Sequence, residues 1–221
     1  MKREIRNTVS NVKVTGEEGE ESRSIEGYAM LFDTPSTDLS FEEIVERGAL
    51  DDVLGKSDVF AFLNHDSYRG VLARWKRKAG SLILSVDQKG LKYEFDAPKT
   101  ALGDELIENI KRGEIDSSSF SFTVEKDTWG KKDNGTWKRT INKIERLYDV
   151  SPVYNPAYKG TSVYMRGAED DAVITPQSLI EQREKELMEA EKQRTAAKEQ
   201  LEHNEAIAAY LKKIESGLNK F

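Results

Sequence analysis

Apolar and polar residues alternate most plainly in two neighbouring stretches, Ser81-Leu82-Ile83-Leu84-Ser85-Val86 and Leu91-Lys92-Tyr93-Glu94-Phe95. They flank Asp87-Gln88-Lys89-Gly90, so the pair predicts a β-hairpin. Downstream, Leu102, Leu106 and Ile110 recur every fourth position, which predicts a helix from Leu102 to Arg112 with Gly113 as its terminating residue. Upstream, apolar and small residues from Ile25 to Phe32 predict a buried strand, and the segment from Gly48 to Leu54 predicts a short helix. Val59-Phe60-Ala61-Phe62-Leu63 predicts a second buried strand, with His65 just beyond its end.

From Ser118 to Val124 the period is two: Phe120, Phe122 and Val124 share one strand face and Ser119, Ser121 and Thr123 the other. Spacing alone reads those hydroxyls as the wet face of an edge strand. Trp129 to Trp137 predicts a long hairpin turning at Asn134-Gly135, its tryptophans packed on a strand face. Asn155-Pro156-Ala157-Tyr158 predicts a turn, because proline restricts both itself and the residue before it.

The character of the chain changes after Arg166. Gly167-Ala168-Glu169-Asp170-Asp171 opens a linker, and Thr175-Pro176 supplies an N-cap and a proline at the first helical position. A helix from Pro176 to about Ser216 is expected, rich in Glu, Lys, Gln and Ala. Ile180, Leu187 and Leu201 fit a seven-residue period that Arg194 interrupts, which argues against a robust isolated coiled coil. The organisation read from the chain is a folded domain over 1–166, an acidic linker over 167–175 and a charged helical extension over 176–221.

Composition narrows the chemistry. The chain has 221 residues, a formal net charge of −6 and an acidic pI, which argues against nucleic acid as a partner. No apolar run is long enough to cross a bilayer, and no secretory signal follows Met1, so a cytoplasmic protein is expected. There is no cysteine, which removes disulfides, thiolate metal sites and a cysteine nucleophile. His65 is the only histidine outside the charged extension, where His203 lies. Any imidazole base in the folded part is therefore His65, whose ordinary pKa suits general-base work, and serine is the natural nucleophile that remains.

Several segments in order carry a resemblance. They are Ile25-Glu26-Gly27-Tyr28-Ala29, Phe41-Glu42-Glu43-Ile44 with Gly48-Ala49-Leu50, Asn64-His65-Asp66, Gly90-Leu91, Gly113 with Ser119-Phe120-Ser121-Phe122, and Tyr148-Asp149-Val150-Ser151-Pro152-Val153-Tyr154 running on to Tyr158. Over residues 25 to 166 the set resembles the prohead (capsid maturation) serine proteases of tailed bacteriophages, typified by the phage HK97 enzyme. The resemblance implies an α+β fold like that of the herpesvirus assemblin protease, a closed β-barrel ringed by helices, here with a long C-terminal helical extension. It implies a serine endopeptidase in the host cytoplasm, inside the procapsid, that cuts scaffold or the scaffold-like arm of the major capsid protein and also itself.

The resemblance places the nucleophile at Ser119, with Ser117, Ser118 and Ser121 as alternatives, and the base at His65. Serine stands at 121 where the family usually has glycine. The third residue falls on Asp149, where the family often has glutamate; Asp66 is the alternative, although neighbours on a strand point to opposite faces. No cofactor and no metal are called for. Two other classes compete: a noncatalytic capsid scaffold, which the charged helix would suit, and a metal-dependent hydrolase, for which a single core histidine makes a poor ligand set.

Overall fold

The computed structural model describes residues 2–8, 11–16, 22–36, 39–154 and 174–218. The turn expected at Asn155-Pro156-Ala157-Tyr158 and the linker opening at Gly167 lie outside them. Contacts divide the chain into two compact units, Met1–Pro176 and Gln177–Phe221.

Among the described residues the first unit has eleven strands: β1 (Glu4–Thr8), β2 (Lys13–Thr15), β3 (Ser24–Leu31), β4 (Glu42–Val45), β5 (Asp58–Ala61), β6 (Ala73–Lys76), β7 (Ala79–Gly80), β8 (Leu82–Val86), β9 (Gly90–Asp96), β10 (Ile115–Lys131) and β11 (Trp137–Tyr154). Seven form one sheet in the order β1-β10-β11-β5-β6-β7, with β4 pairing alongside β11; the other four form a sheet in the order β2-β3-β9-β8. The two sheets share one hydrophobic core. Ile25, Met30, Leu91, Tyr93 and Phe95 come from the smaller sheet, and Val59, Phe120, Phe122, Ile141, Leu147 and Val150 from the larger.

The closed barrel ringed by helices is not what forms. Both sheets are open, β1 and β7 ending one and β2 and β8 the other. The helices among the described residues are α1 (Val53–Lys56), α2 (Ala101–Lys111) and α3 (Pro176–Leu218), too few to make a ring. The α+β class stands, but the sheets bury their apolar faces in a shared core instead of closing on themselves.

Local chemistry explains the elements that position the site. The expected hairpin is β8–β9, and its pairing with β3 requires Gly90: a Cβ there would lie 1.9 Å from the Met30 carbonyl oxygen on β3. Helix α2 begins at Thr100, whose hydroxyl accepts from Gly103 N, and ends before Gly113 at φ 75°, a conformation that favours glycine. It buries Leu106 and packs Leu102 and Ile110 against the core, then hands the chain to β10. The short helix expected over Gly48 to Leu54 is displaced to Val53–Lys56, preceded by turns. Trp129 and Trp137 meet edge to face at 6.0 Å across the β10–β11 hairpin, as packing residues.

Strand β1 was not foreseen from the sequence, because its inward positions are Glu4, Arg6 and Thr8. Those charges are neutralised inside the protein. Arg139 of β11 holds Glu4 at 2.5 and 2.8 Å, Glu43 at 2.9 Å and Asp127 at 2.7 Å, while Arg6 reaches Glu43 at 2.6 Å and Glu4 at 2.7 Å. Burial alone would push the Glu43 carboxyl up, but the Arg6 and Arg139 guanidiniums outweigh it and hold it below the usual carboxylate range. Bidentate geometry is what lets such a cluster survive burial. It fastens β1 and β4 to the long hairpin.

The second unit is α3, 43 residues and about 65 Å at the ordinary helical rise. Leu187, Met188 and Leu201 are exposed along it, and ion pairs such as Arg183–Glu186 and Lys198–Glu202 run along its surface. No helix among the described residues is long and apolar enough to cross a membrane.

Removing one side of the buried charge cluster leaves the other uncompensated. Arg139→Ala is expected to destabilise the first unit by about 3–5 kcal/mol, read as a lowered urea midpoint. Because the folded state depresses Glu43, its contribution is present above the ordinary glutamate pKa of about 4.3 and is lost as pH falls through the depressed value. The wild-type urea midpoint should therefore drop on acidification, and Glu43→Gln should give a lower midpoint at neutral pH with a shallower acid slope.

Candidate active site

The chain leaves β5 at Ala61, and the next residues deliver His65 through two consecutive left-handed conformations, Asn64 at φ 55° and His65 at φ 59°. Neither is glycine, so each costs on the order of 1 kcal/mol or more and must be imposed by its surroundings. Main-chain bonds impose it: Asn64 N donates to Pro152 O of β11 at 3.0 Å, and Asp66 N donates to Leu63 O at 3.1 Å. Asp66 then turns away, its side chain accepting from Tyr68 N at the start of a 3₁₀ turn over Ser67–Arg69.

The imidazole meets Asp149 instead. His65 Nδ1 lies 2.5 Å from Asp149 Oδ1, across 84 residues of sequence, with both side chains buried. Strand pairing produces this meeting, since Asp149 on β11 sits beside Phe60 on the parallel strand β5. Two serines complete the shell of the carboxylate. Ser151 Oγ donates to Asp149 Oδ1 at 2.7 Å, and Ser121 Oγ donates to Asp149 Oδ2.

Burial would raise the Asp149 carboxyl, but His65, Ser121 and Ser151 together hold it below the ordinary carboxylate range. An ionised carboxylate only accepts, so Nδ1 carries a proton directed at Asp149, and in the neutral imidazole Nε2 is the nitrogen with the lone pair. Nε2 is buried and has no hydrogen-bond partner among the described residues. An orphaned buried polar atom costs about 1–3 kcal/mol, which marks this nitrogen as a candidate for chemistry.

The serines of β10 separate by their partners. Ser118 faces the smaller sheet, where its hydroxyl lies 2.8 Å from the Tyr93 hydroxyl, and Ser117 donates to Asp116. Ser119 pairs with Asn7 on one side and Ser151 on the other, while Ser121 pairs with Asp149. Ser119, Ser121, Ser151 and Asp149 are therefore register neighbours on the hairpin. Ser119 Oγ donates to the Arg6 carbonyl oxygen at 3.0 Å and does not bond His65 Nε2.

The wet edge face read from spacing is absent. Strand β10 is flanked by β1 and β11, and Ser119 and Ser121 are fully buried. Unforeseen, too, were the roles of Ser151 and of the β1 main chain. The first had a readable signal, because Asp149 and Ser151 stand two apart in a strand-like run and so share a face. The Arg6 carbonyl had none, since a main-chain acceptor carries no side-chain signature.

Among the described residues no cluster of His, Asp and Glu is arranged to hold a metal ion. What the residues present is an imidazole oriented through Nδ1 by a carboxylate that also accepts from two serine hydroxyls. An imidazole held in this way can act as a general base through Nε2.

No curated protein matches the chain. Among solved structures, that of the bacteriophage T4 capsid assembly protease is similar with a TM-score of 0.40 and 12% identity, over 70% of this chain and 99% of that one. Residues 10–173 match the family described as Caudovirus prohead serine protease, a span that takes in β2 to β11 and with them His65, Ser119 and Asp149. The match extends over well more than half of the 221 residues, and on that ground the chain belongs to the Caudovirus prohead serine protease family.

Proposed function

We propose that the protein is a serine endopeptidase of capsid maturation that works through Ser119, His65 and Asp149. The observation that carries the reading is the His65 Nδ1–Asp149 Oδ1 contact with Nε2 left unpartnered. His65 Nε2 takes the Ser119 Oγ proton as the oxygen adds to the scissile carbonyl, and Asp149 stabilises the imidazolium that results. The imidazolium then gives that proton to the leaving amine, leaving an acyl-serine. Water, deprotonated by the same nitrogen, hydrolyses the ester and returns Ser119 to its hydroxyl form.

Ser119 in its present rotamer is turned to the Arg6 carbonyl, and Ser119 and His65 are 0% and 1% exposed. A peptide reaches this pair only after the site opens and Ser119 rotates toward Nε2. That supports a resting form in the free protein, activated among its substrates inside the procapsid in the host cytoplasm. The substrates of this reading are scaffold protein or the scaffold-like arm of the major capsid protein, together with the protease itself.

The protease domain in this proposal is residues 1–166, the linker 167–175 and the arm 176–221. The arm is a charged helix suited to contact with scaffold or with further copies of the chain, and the acidic linker before it is the place for self-cleavage.

Mass spectrometry of wild type, Ser119→Ala and His65→Ala, each produced alone and with the phage capsid and scaffold proteins, tests the reading. Wild type should give defined fragments that both variants lack, and Asp149→Asn should cut roughly 10⁴-fold more slowly, because the wrong tautomer is favoured. Identical fragments from wild type and folded variants, or intact proteins throughout assembled procapsids, would replace the protease with a noncatalytic scaffold. Separately, intact-mass measurement of wild type from procapsids should find the chain shortened within 167–175; a full-length arm in mature particles rules out self-cleavage there.

A further inference from the structure

Asp149 is held more tightly than its contact with His65 requires. Each of its oxygens receives a serine hydroxyl, Oδ1 from Ser151 on its own strand and Oδ2 from Ser121 on β10. Both serines are fully buried, so bulk solvent does not compete for either hydroxyl. The aspartate χ2 torsion is broad and roughly two-fold, and a carboxylate bonded at one oxygen alone can turn about it. Bonds from two different strands remove that freedom.

We propose that Ser121 and Ser151 are positioning residues, which hold the Asp149 carboxylate with one oxygen fixed on His65 Nδ1. The assignment rests on the reading of Ser119 as nucleophile. It gives Ser121, which stands two residues after Ser119 in the same strand, a role other than attack on the substrate. Ser121 Oγ is committed to the carboxylate, at the Nδ1 side of the His65–Asp149 pair, whereas a nucleophile is needed at Nε2.

The electrostatic consequence has a definite sign. The groups acting on Asp149 are His65 from the loop after β5, Ser121 from β10 and Ser151 from β11. Two hydroxyl donors spread the negative charge of the carboxylate. Without them the His65–Asp149 pair takes up a proton more readily, so the pair becomes inactive at a higher pH than in wild type. Loss of orientation lowers the rate at the optimum as well, by about tenfold to a hundredfold for a hydrogen bond to a charged group.

The test follows the rate of capsid or scaffold cleavage, in procapsids assembled with full-length protein, from acid to neutral pH. Wild type is compared with Ser119→Ala, Ser121→Ala, Ser121→Thr and Ser151→Ala, with folding checked by circular dichroism. Ser121→Ala and Ser151→Ala should each cleave more slowly with the acid limb moved to higher pH, and Ser121→Thr, which keeps the hydroxyl, should recover toward wild type. If Ser119→Ala is inactive but Ser121→Ala and Ser151→Ala keep the wild-type acid limb, the positioning role fails while the protease reading survives. If Ser119→Ala still cleaves and both Ser121 variants do not, Ser121 is the nucleophile and both readings fall. Should Ser121→Ala not fold, Ser151→Ala decides alone, an unshifted acid limb overturning the proposal.

Discussion

Antiparallel pairing of β10 with β11 fixes the geometry on which the rest of the first unit depends. The two strands run 17 and 18 residues; β1 pairs with β10, β4 and β5 pair with β11, and β6 and β7 extend the sheet outward from β5. Their register sets Ser119 opposite Ser151 and Ser121 opposite Asp149, so strand pairing is what brings these polar side chains together. Irregularities in the ladder flank these positions, one between Ile115 and Ser117 and the next between Ser121 and Phe122. Such bulges re-aim side chains, and they recur where a sheet carries a functional site.

The buried charges serve the same hairpin from its other side. Glu4, Arg6, Glu43 and Arg139 come from β1, β4 and β11, and their mutual neutralisation lets three strands meet where apolar residues would be usual. An ion cluster of this kind is a poor source of net stability but a strict judge of register, because a shifted strand would leave a bare charge inside the protein. Strand β1 is thereby placed against β10, with the Arg6 carbonyl within reach of Ser119. One element thus connects the charge cluster to the row of hydroxyls.

Left-handed backbone at Asn64 and His65 and an orphaned Nε2 are two independent departures from the lowest-energy arrangement, and they fall on the same residue. Proteins tolerate such departures where the surrounding structure over-determines them, as the Pro152 and Leu63 carbonyls and the Asp149 carboxylate do here. Two bonds tie the loop to β11, Asn64 N to Pro152 O and His65 Nδ1 to Asp149 Oδ1.

Much of this was legible in the chain. The β8–β9 hairpin follows from period-two alternation around a turn, and α2 from apolar residues every fourth position with glycine after it; both signals are local and need no partner. His65 stood out because it is the sole histidine of the folded part, and Asp149 through the resemblance alone. Tertiary structure decided what depends on residues far apart. Open sheets in place of a closed barrel, β1 with its charges turned inward, the burial of Ser119, and Ser121 and Ser151 on Asp149 arise from pairings across as many as 135 positions. A sequence pattern records which face of a strand is apolar, but a polar face reads the same whether it meets water or a buried partner of opposite charge.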